Sequence, residues 1–345
     1  MNEKTWIKLS LFLSLLIISG VGLINLIIDP LWLNSHSHAL NTHQRGFNER
    51  LQKSIYLKNR VDLKKIDSML FGSSRVTYYN VSSVKTKYKI FNYGFSGGVP
   101  NEFIDYLEYA KRLKGDHFDL ILLGLDFIGP AVINKKPETF TDRVLSDVDR
   151  PFELYKQNLT VDMLKFSIIN IKNSFIKKAG YRSYSRDLEV VTSHDPEKTV
   201  ESYAKIQMEG PFYRNLDFKD SYYEDLKTLI RQNPKSKFIV FTTPLSSVFL
   251  DRIHGDEQLS KEYRRWITES LAIFKELHLF TFYNQYARDY RSLSKDGGHY
   301  YPEIGQQILD TLLNQTKNPN MLLLTPQNFS EVQKTIFNPV GVDPF

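Results

Sequence analysis

Three short stretches hold residues whose types and spacing suit acyl-transfer chemistry. "NYGFSGG" (92–98) contains a G-x-S-x-G pattern around Ser96, the signature of a nucleophile elbow. "LFGSSRV" (70–76) places Ser73 and Ser74 just after a short apolar run, and "SKDGGHYYPEIGQQIL" (294–309) sets Asp296 and His299 three residues apart ahead of a helical pattern. A serine hydroxyl is a weak nucleophile until a base takes its proton, and that base must be held in the right tautomer by a third group. The Asp-x-x-His spacing supplies both functions. The Asp296 carboxylate can accept the Nδ1 proton of His299 across one short turn, leaving Nε2 to face a serine on another loop. Elbow hydrolases take their acid from a separate loop well before the histidine, so this adjacency counts against Ser96.

These residues need a scaffold that brings distant loops together. Continuous apolar runs at 68–74, 88–94, 118–127, 237–244 and 279–284 read as strands buried on both faces of a parallel sheet. Helical patterns at 100–113, 220–232 and 259–278 alternate with them, which predicts an α/β fold with a doubly wound, mostly parallel sheet. In such sheets ligands bind beyond the carboxyl ends of the strands. The turn after 68–74, the glycine turn at 94–98 and "GLDFIG" (124–129) with Asp126 all fall there. The interval of about 129–215 breaks the alternation and reads as an insertion that caps the active-site edge. The stretch after Thr316, rich in Asn and Pro, reads as a peripheral tail.

Ahead of this domain, "LSLFLSLLIISGVGLINLII" (9–28) carries no charge and is long enough to cross a hydrocarbon core of about 30 Å. It is longer than the apolar core of a signal peptide and lacks a small-x-small cleavage site, so a retained signal anchor is expected. Lys4 and Lys8 precede it and residues 29–43 contain no Lys or Arg, so the bulk of the chain should lie outside the cytoplasm. Residues 1–8 are then a cytoplasmic tip, and 29–66 a juxtamembrane connector that turns helical near Phe47 and ends before Val61. The main domain spans 67–315, and 316–345 is the tail. Three histidines in the connector, His36, His38 and His43, match no usual zinc spacing and read as a solvated loop. The chain has no cysteine and a net charge of +6, with acidic and basic residues interleaved. No zinc-binding, helix-turn-helix or aromatic RNA-binding pattern points to nucleic acid.

In its three blocks the sequence resembles the SGNH (GDSL-like) hydrolase superfamily. "F-G-S-S-R" aligns Gly72 and Ser74 with the family's first block, with Ser73 in the usual aspartate position. The resemblance thus implies Ser74 as nucleophile, His299 as base and Asp296 as its orienting acid. It also implies an oxyanion hole from the backbone N–H groups of Ser74 and Gly97, the latter in a glycine turn where the family has its second block. On this alignment the G-x-S-x-G around Ser96 is a decoy. Arg75 is a candidate for an anionic substrate group, an ion pair being the competing reading. The third block departs from the family: "GLDFIG" supplies Asp126 and no asparagine, and Asp126 receives no catalytic role because a carboxylate would repel an oxyanion.

The anchor and the insertion are similar to those of membrane-anchored bacterial envelope members that work beside membrane-bound O-acyltransferases, attaching acetyl or D-alanyl groups to polysaccharides. The resemblance therefore implies an esterase or O-acyltransferase, acting on acetyl-like esters of envelope glycan through an acyl-serine. Its domain would face the periplasm or cell exterior, without metal or other cofactor. The competing class is a catalytically inactive SGNH-fold scaffold or glycan-binding partner of an acylation machine.

Overall fold

The computed structural model describes residues 2–131, 138–176, 182–210 and 218–337; parts of the 129–215 interval and the end of the tail lie outside the described residues. In chain order the elements used below are α1 (Glu3–Ile28), α2 (Glu49–Arg60), β1 (Ser68–Phe71), β2 (Ile90–Asn92), α3 (Pro100–Lys114), β3 (Leu120–Leu125), α4 (Val161–Phe175), α5 (Glu197–Glu209), α6 (Ser221–Gln232), β4 (Lys237–Thr242), β5 (Leu277–Leu279), α7 (Pro302–Asn314) and β6 (Leu322–Leu324). The chain divides into two compact units. One comprises Met1–Val61 with Asp142–Ser193, the other Asp62–Thr141 with His194–Phe345.

The second unit is an α/β domain around a six-stranded sheet of order β2-β1-β3-β4-β5-β6. The first five strands are parallel, and β6 pairs antiparallel with β5. Every residue of β1 and β3 is buried, which is why their sequence runs are continuously apolar rather than alternating. Chain order reverses between β1 and β3, creating a crevice beyond their carboxyl ends. α3 starts with Pro100, whose missing N–H costs nothing at a first helical position, and stops at Gly115 in the left-handed conformation.

Three expectations need correction. The run at 279–284 is not the strand: pairing ends at Leu279, and the N–H groups of Phe280 and Thr281 turn instead to the Thr242 hydroxyl at 2.9 and 3.1 Å. The helix expected at 259–278 is Glu257–Phe274, preceded by a separate helix Ser247–Gly255; Asp256 between them caps the second through the Leu259 N–H at 3.0 Å. The expected tail supplies β6, where three leucines add an edge strand; the surrounding Asn and Pro residues mask that short run.

In the first unit, α1 is a 26-residue helix long and apolar enough to cross a membrane. It ends at Asp29, a buried residue with φ 55° whose carboxylate accepts the N–H groups of Leu33 and Asn34 and pairs with Arg186 at 2.6 Å. His36 and His38 both reach the Ile27 carbonyl, at 2.7 and 2.9 Å. α2 begins where Asn48 accepts the Leu51 N–H at 3.2 Å, within the connector as expected. A small antiparallel sheet of Gln44–Arg45, Ser183–Tyr184 and Val190–Val191 completes the unit.

Fully buried Lys53 sits on α2, its ammonium 5.6 Å from the Tyr184 ring centroid. Nearby Glu49 bonds the Tyr184 hydroxyl at 2.6 Å and Arg182 at 2.7 Å. Burial pulls the Lys53 pKa down to about 7; Glu49 opposes that shift and Arg182 adds to it. The folded pKa lies below the unfolded value of about 10.4, so the cost of burying the ammonium is full below pH 7. It fades as pH rises through that window, a change on the order of 4 kcal/mol. The thermal unfolding midpoint of the wild type should therefore rise between pH 7 and 10 relative to Lys53→Met, measured in parallel melts; equal slopes would show that Lys53 stays charged when folded.

Candidate functional site

The site lies entirely within the second unit, beyond the carboxyl ends of β1, β2, β3 and β4. β1 runs into the turn Gly72–Arg75 and a short 3-10 turn at Val76–Tyr78. Gly72 is required by packing: a Cβ there would stand 2.3 Å from Val76 Cγ2 and 3.1 Å from the Gly124 carbonyl oxygen. The turn is held by the Val76 N–H on the Ser73 carbonyl at 3.1 Å and by the Thr77 hydroxyl on the Ser74 carbonyl at 2.6 Å. It presents a half-buried Ser74 to the crevice.

Ser74 Oγ lies 2.8 Å from His299 Nε2, and His299 Nδ1 lies 2.8 Å from Asp296 Oδ2. With Nδ1 donating to the carboxylate, Nε2 is the acceptor and the serine hydroxyl donates to it, the tautomer a general base requires. Asp296 is 1% exposed. Its Oδ1 accepts the N–H groups of Gly298 and His299 at 3.0 and 2.8 Å, and its Oδ2 also accepts Gln207 Nε2 at 2.7 Å. Four donors from three directions fix the carboxylate, and the carboxylate fixes the ring. The Tyr78 ring, 5.7 Å from the imidazole centroid, packs beside it.

The loop carrying Asp296 and His299 is itself pinned. Lys295 donates its N–H to the His299 carbonyl at 2.7 Å, and its ammonium pairs with Asp195 at 2.6 Å. Ser294 Oγ accepts the Gly297 N–H at 2.8 Å. Gln207 on α5 and Asp195 just before it belong to the interval expected as an insertion, so part of that interval buttresses the histidine loop. Sequence reasoning missed Gln207, and no motif could have found it: a lone glutamine on a polar helix carries no spacing signal.

Asp126, at the end of β3, accepts the hydroxyls of Ser73 and Thr243 and pairs with Arg75 at 3.2 Å. Both charged side chains are buried, at 7% and 3% exposure. The acid that pairs with Arg75 is therefore Asp126, and Arg75 also lines the cavity beside Ser74. Ser96 and Gly97 form the exposed tip of the turn after β2, closed by the Gly98 N–H on the Phe95 carbonyl at 3.0 Å. Gly97 has φ 61°, which only glycine adopts freely at that turn position. Ser96 is not the serine on His299; Ser74 is.

A cavity of about 380 Å³ opens beside Ser74 and His299. Gly97 lines it, and its walls are mostly apolar, including Pro100, Phe103, Leu125, Ile128 and Tyr222. Among the described residues lining it, Asp126 is the one carboxylate. No cluster of three His, Cys, Asp or Glu suited to a metal ion occurs among the described residues. No protein-family model matches the chain, and no curated protein matches it. What stands at this point is the class that fold and site define: an α/β protein with a hydrogen-bonded Ser-His-Asp set at the switch point of a mostly parallel sheet.

Removing Asp126 takes away the buried carboxylate that pairs with Arg75 at 3.2 Å, and breaking a buried pair from one side costs about 3–5 kcal/mol in comparable cases. Asp126→Ala should therefore lower the unfolding midpoint strongly, and the double variant Asp126→Ala/Arg75→Met should recover much of the loss. Thermal melts of both variants check this; a single variant as stable as wild type would mean the pair carries no burial cost.

Proposed function

We propose that the protein is a membrane-anchored serine esterase or O-acyltransferase of SGNH type, acting on acyl esters of cell-envelope polysaccharide. The observation that carries this reading is the unbroken line Asp296, His299, Ser74 ending at a cavity with room for an acyl group. In this mechanism His299 Nε2 takes the Ser74 proton as Oγ attacks the ester carbonyl. The backbone N–H groups of Ser74 and Gly97 are the proposed oxyanion donors. The tetrahedral intermediate collapses, the carbonyl–alkoxy bond breaks, and His299 returns the proton to the departing alcohol. A water or glycan hydroxyl then gives its proton to His299 and attacks the acyl-serine, releasing acid or a new ester and regenerating Ser74.

The pairing of Asp126 with Arg75 favours a neutral acyl group such as acetyl over cationic D-alanyl, whose ammonium would need an uncommitted anion in the cavity. The length and apolarity of α1, with Lys4 and Lys8 before it, support a single-pass anchor in a bacterial cytoplasmic membrane with the α/β unit outside. A membrane-bound O-acyltransferase as acyl donor is the partner that this placement suggests.

One observation favours a second reading, an inactive SGNH-fold scaffold or glycan-binding partner: no asparagine lines the cavity among the described residues, so the third oxyanion donor of the family has no counterpart there. A fluorophosphonate separates the two. The detergent-solubilised full chain should be labelled at Ser74, located by mass spectrometry, with label lost in Ser74→Ala and reduced at least about 100-fold in rate in His299→Ala. Ser96→Ala should label normally. Label on Ser96 would overturn the assignment, and a folded protein without label would favour the scaffold.

A further inference from the structure

α4 and the turn before it leave apolar side chains exposed or half-buried on one face. Val161, Leu164, Ile168, Ile171 and Phe175 recur at steps of three and four, which places them along one narrow face of the helix. Val161, Ile168 and Phe175 are 62, 56 and 79% exposed, and Leu159 in the preceding turn is 50% exposed. The core-facing side of α4 is a different stripe, the buried Met163, Ser167, Asn170 and Ser174. Exposed Lys165 and Lys172 border the apolar face. A helix in water gains nothing from a second apolar stripe; one lying at a lipid interface does, with basic residues at its margin.

The placement of this face relative to α1 indicates what covers it. Asn25 of α1 donates to the Asn158 carbonyl at 2.7 Å and accepts the Ser167 hydroxyl at 2.7 Å. A Cβ at Gly22 would stand 2.8 Å from Leu159 Cδ2. Gly22 lies six residues inside the end of α1, about 9 Å along the helix axis. If α1 spans the bilayer, Leu159 and the first turn of α4 lie at the depth where interfacial helices bury their apolar face, about 5–10 Å below the headgroups.

We propose that the exposed face of α4, with Leu159, lies in the membrane leaflet at the C-terminal end of α1, so that the protein holds the bilayer by a spanning helix and an interfacial one. The inference rests on α1 spanning the membrane and is independent of the catalytic reading. The steps of three and four would also suit a coiled-coil seam with a second copy, but the stripe covers only about two heptads, fewer than such seams usually need.

The chain has no cysteine, so single cysteines can be spin-labelled without background. The full chain carrying a nitroxide at Leu159→Cys, Val161→Cys, Ile168→Cys or Phe175→Cys is reconstituted in phosphatidylethanolamine/phosphatidylglycerol vesicles. Leu15→Cys within α1 and exposed Ser202→Cys on α5 serve as references. Collision with a water-soluble nickel complex at the four stripe positions should fall about fivefold or more below that at Ser202, with oxygen collision raised, and should stay so when the protein is diluted in lipid. Protection that disappears on dilution would replace the bilayer by a second copy. Nickel access equal to Ser202 would overturn the proposal while leaving the anchor intact. Nickel access at Leu15 as well would overturn the spanning reading on which it rests.

Discussion

The buried ion pair between Arg75 and Asp126 is the constraint on which the site's construction depends. A charge removed from water must be paired, and here the partners come from the turn after β1 and the end of β3. The same carboxylate takes the Ser73 hydroxyl from the turn after β1 and the Thr243 hydroxyl from the end of β4. On its other side the guanidinium abuts the histidine loop, where a Cβ at Gly298 would lie 3.4 Å from Arg75 Nη2. Three strand ends and the histidine loop thus converge on one neutralised pair. Ser74 sits between Ser73 and Arg75 in sequence, so its position follows from theirs.

This construction explains why one serine meets the histidine and another does not. Ser74 leaves a strand at the sheet's switch point, between two residues tied to Asp126, and faces a loop anchored by Lys295, Asp195 and Gln207. Ser96 occupies an exposed turn whose shape is dictated by the positive φ of Gly97. The five-residue pattern around Ser96 is a product of turn chemistry: small residues suit both a nucleophile elbow and a tight exposed turn. The pattern alone cannot tell them apart.

The long interval between β3 and β4 also divides along physical lines. Residues 142–193 cluster with the apolar N-terminal helix, and α5 belongs with the α/β domain, where Gln207 completes the shell of donors around Asp296. Asn25 donates to the Asn158 carbonyl and accepts the Ser167 hydroxyl, so the hydroxyl that α4 brings to the apolar helix finds a partner there. A segment that looks like a single irregular insertion in one dimension is two pieces serving two cores.

Periodicity and local chemistry made much of this legible from sequence alone: four of the five buried strand runs, α3 and α6, the helical end of the connector, the apolar N-terminal helix, and the Asp-x-x-His spacing that closes into a hydrogen-bonded turn. These are properties of neighbours in the chain, governed by burial of continuous apolar runs and by bonds across one turn. The fifth strand was displaced because Phe280 and Thr281 are apolar or β-branched yet bond a threonine side chain instead of the ladder, and β6 was hidden because three leucines are too short a run to stand out among turn formers. Only the tertiary structure decided that Arg75 pairs with Asp126 and that Gln207 reaches Asp296, and only there does the Ser74 hydroxyl, expected from the resemblance, come within 2.8 Å of His299. Each of those contacts joins residues 51 to 225 positions apart through single polar atoms, and no periodicity encodes such a meeting until the sheet has brought its strand ends together.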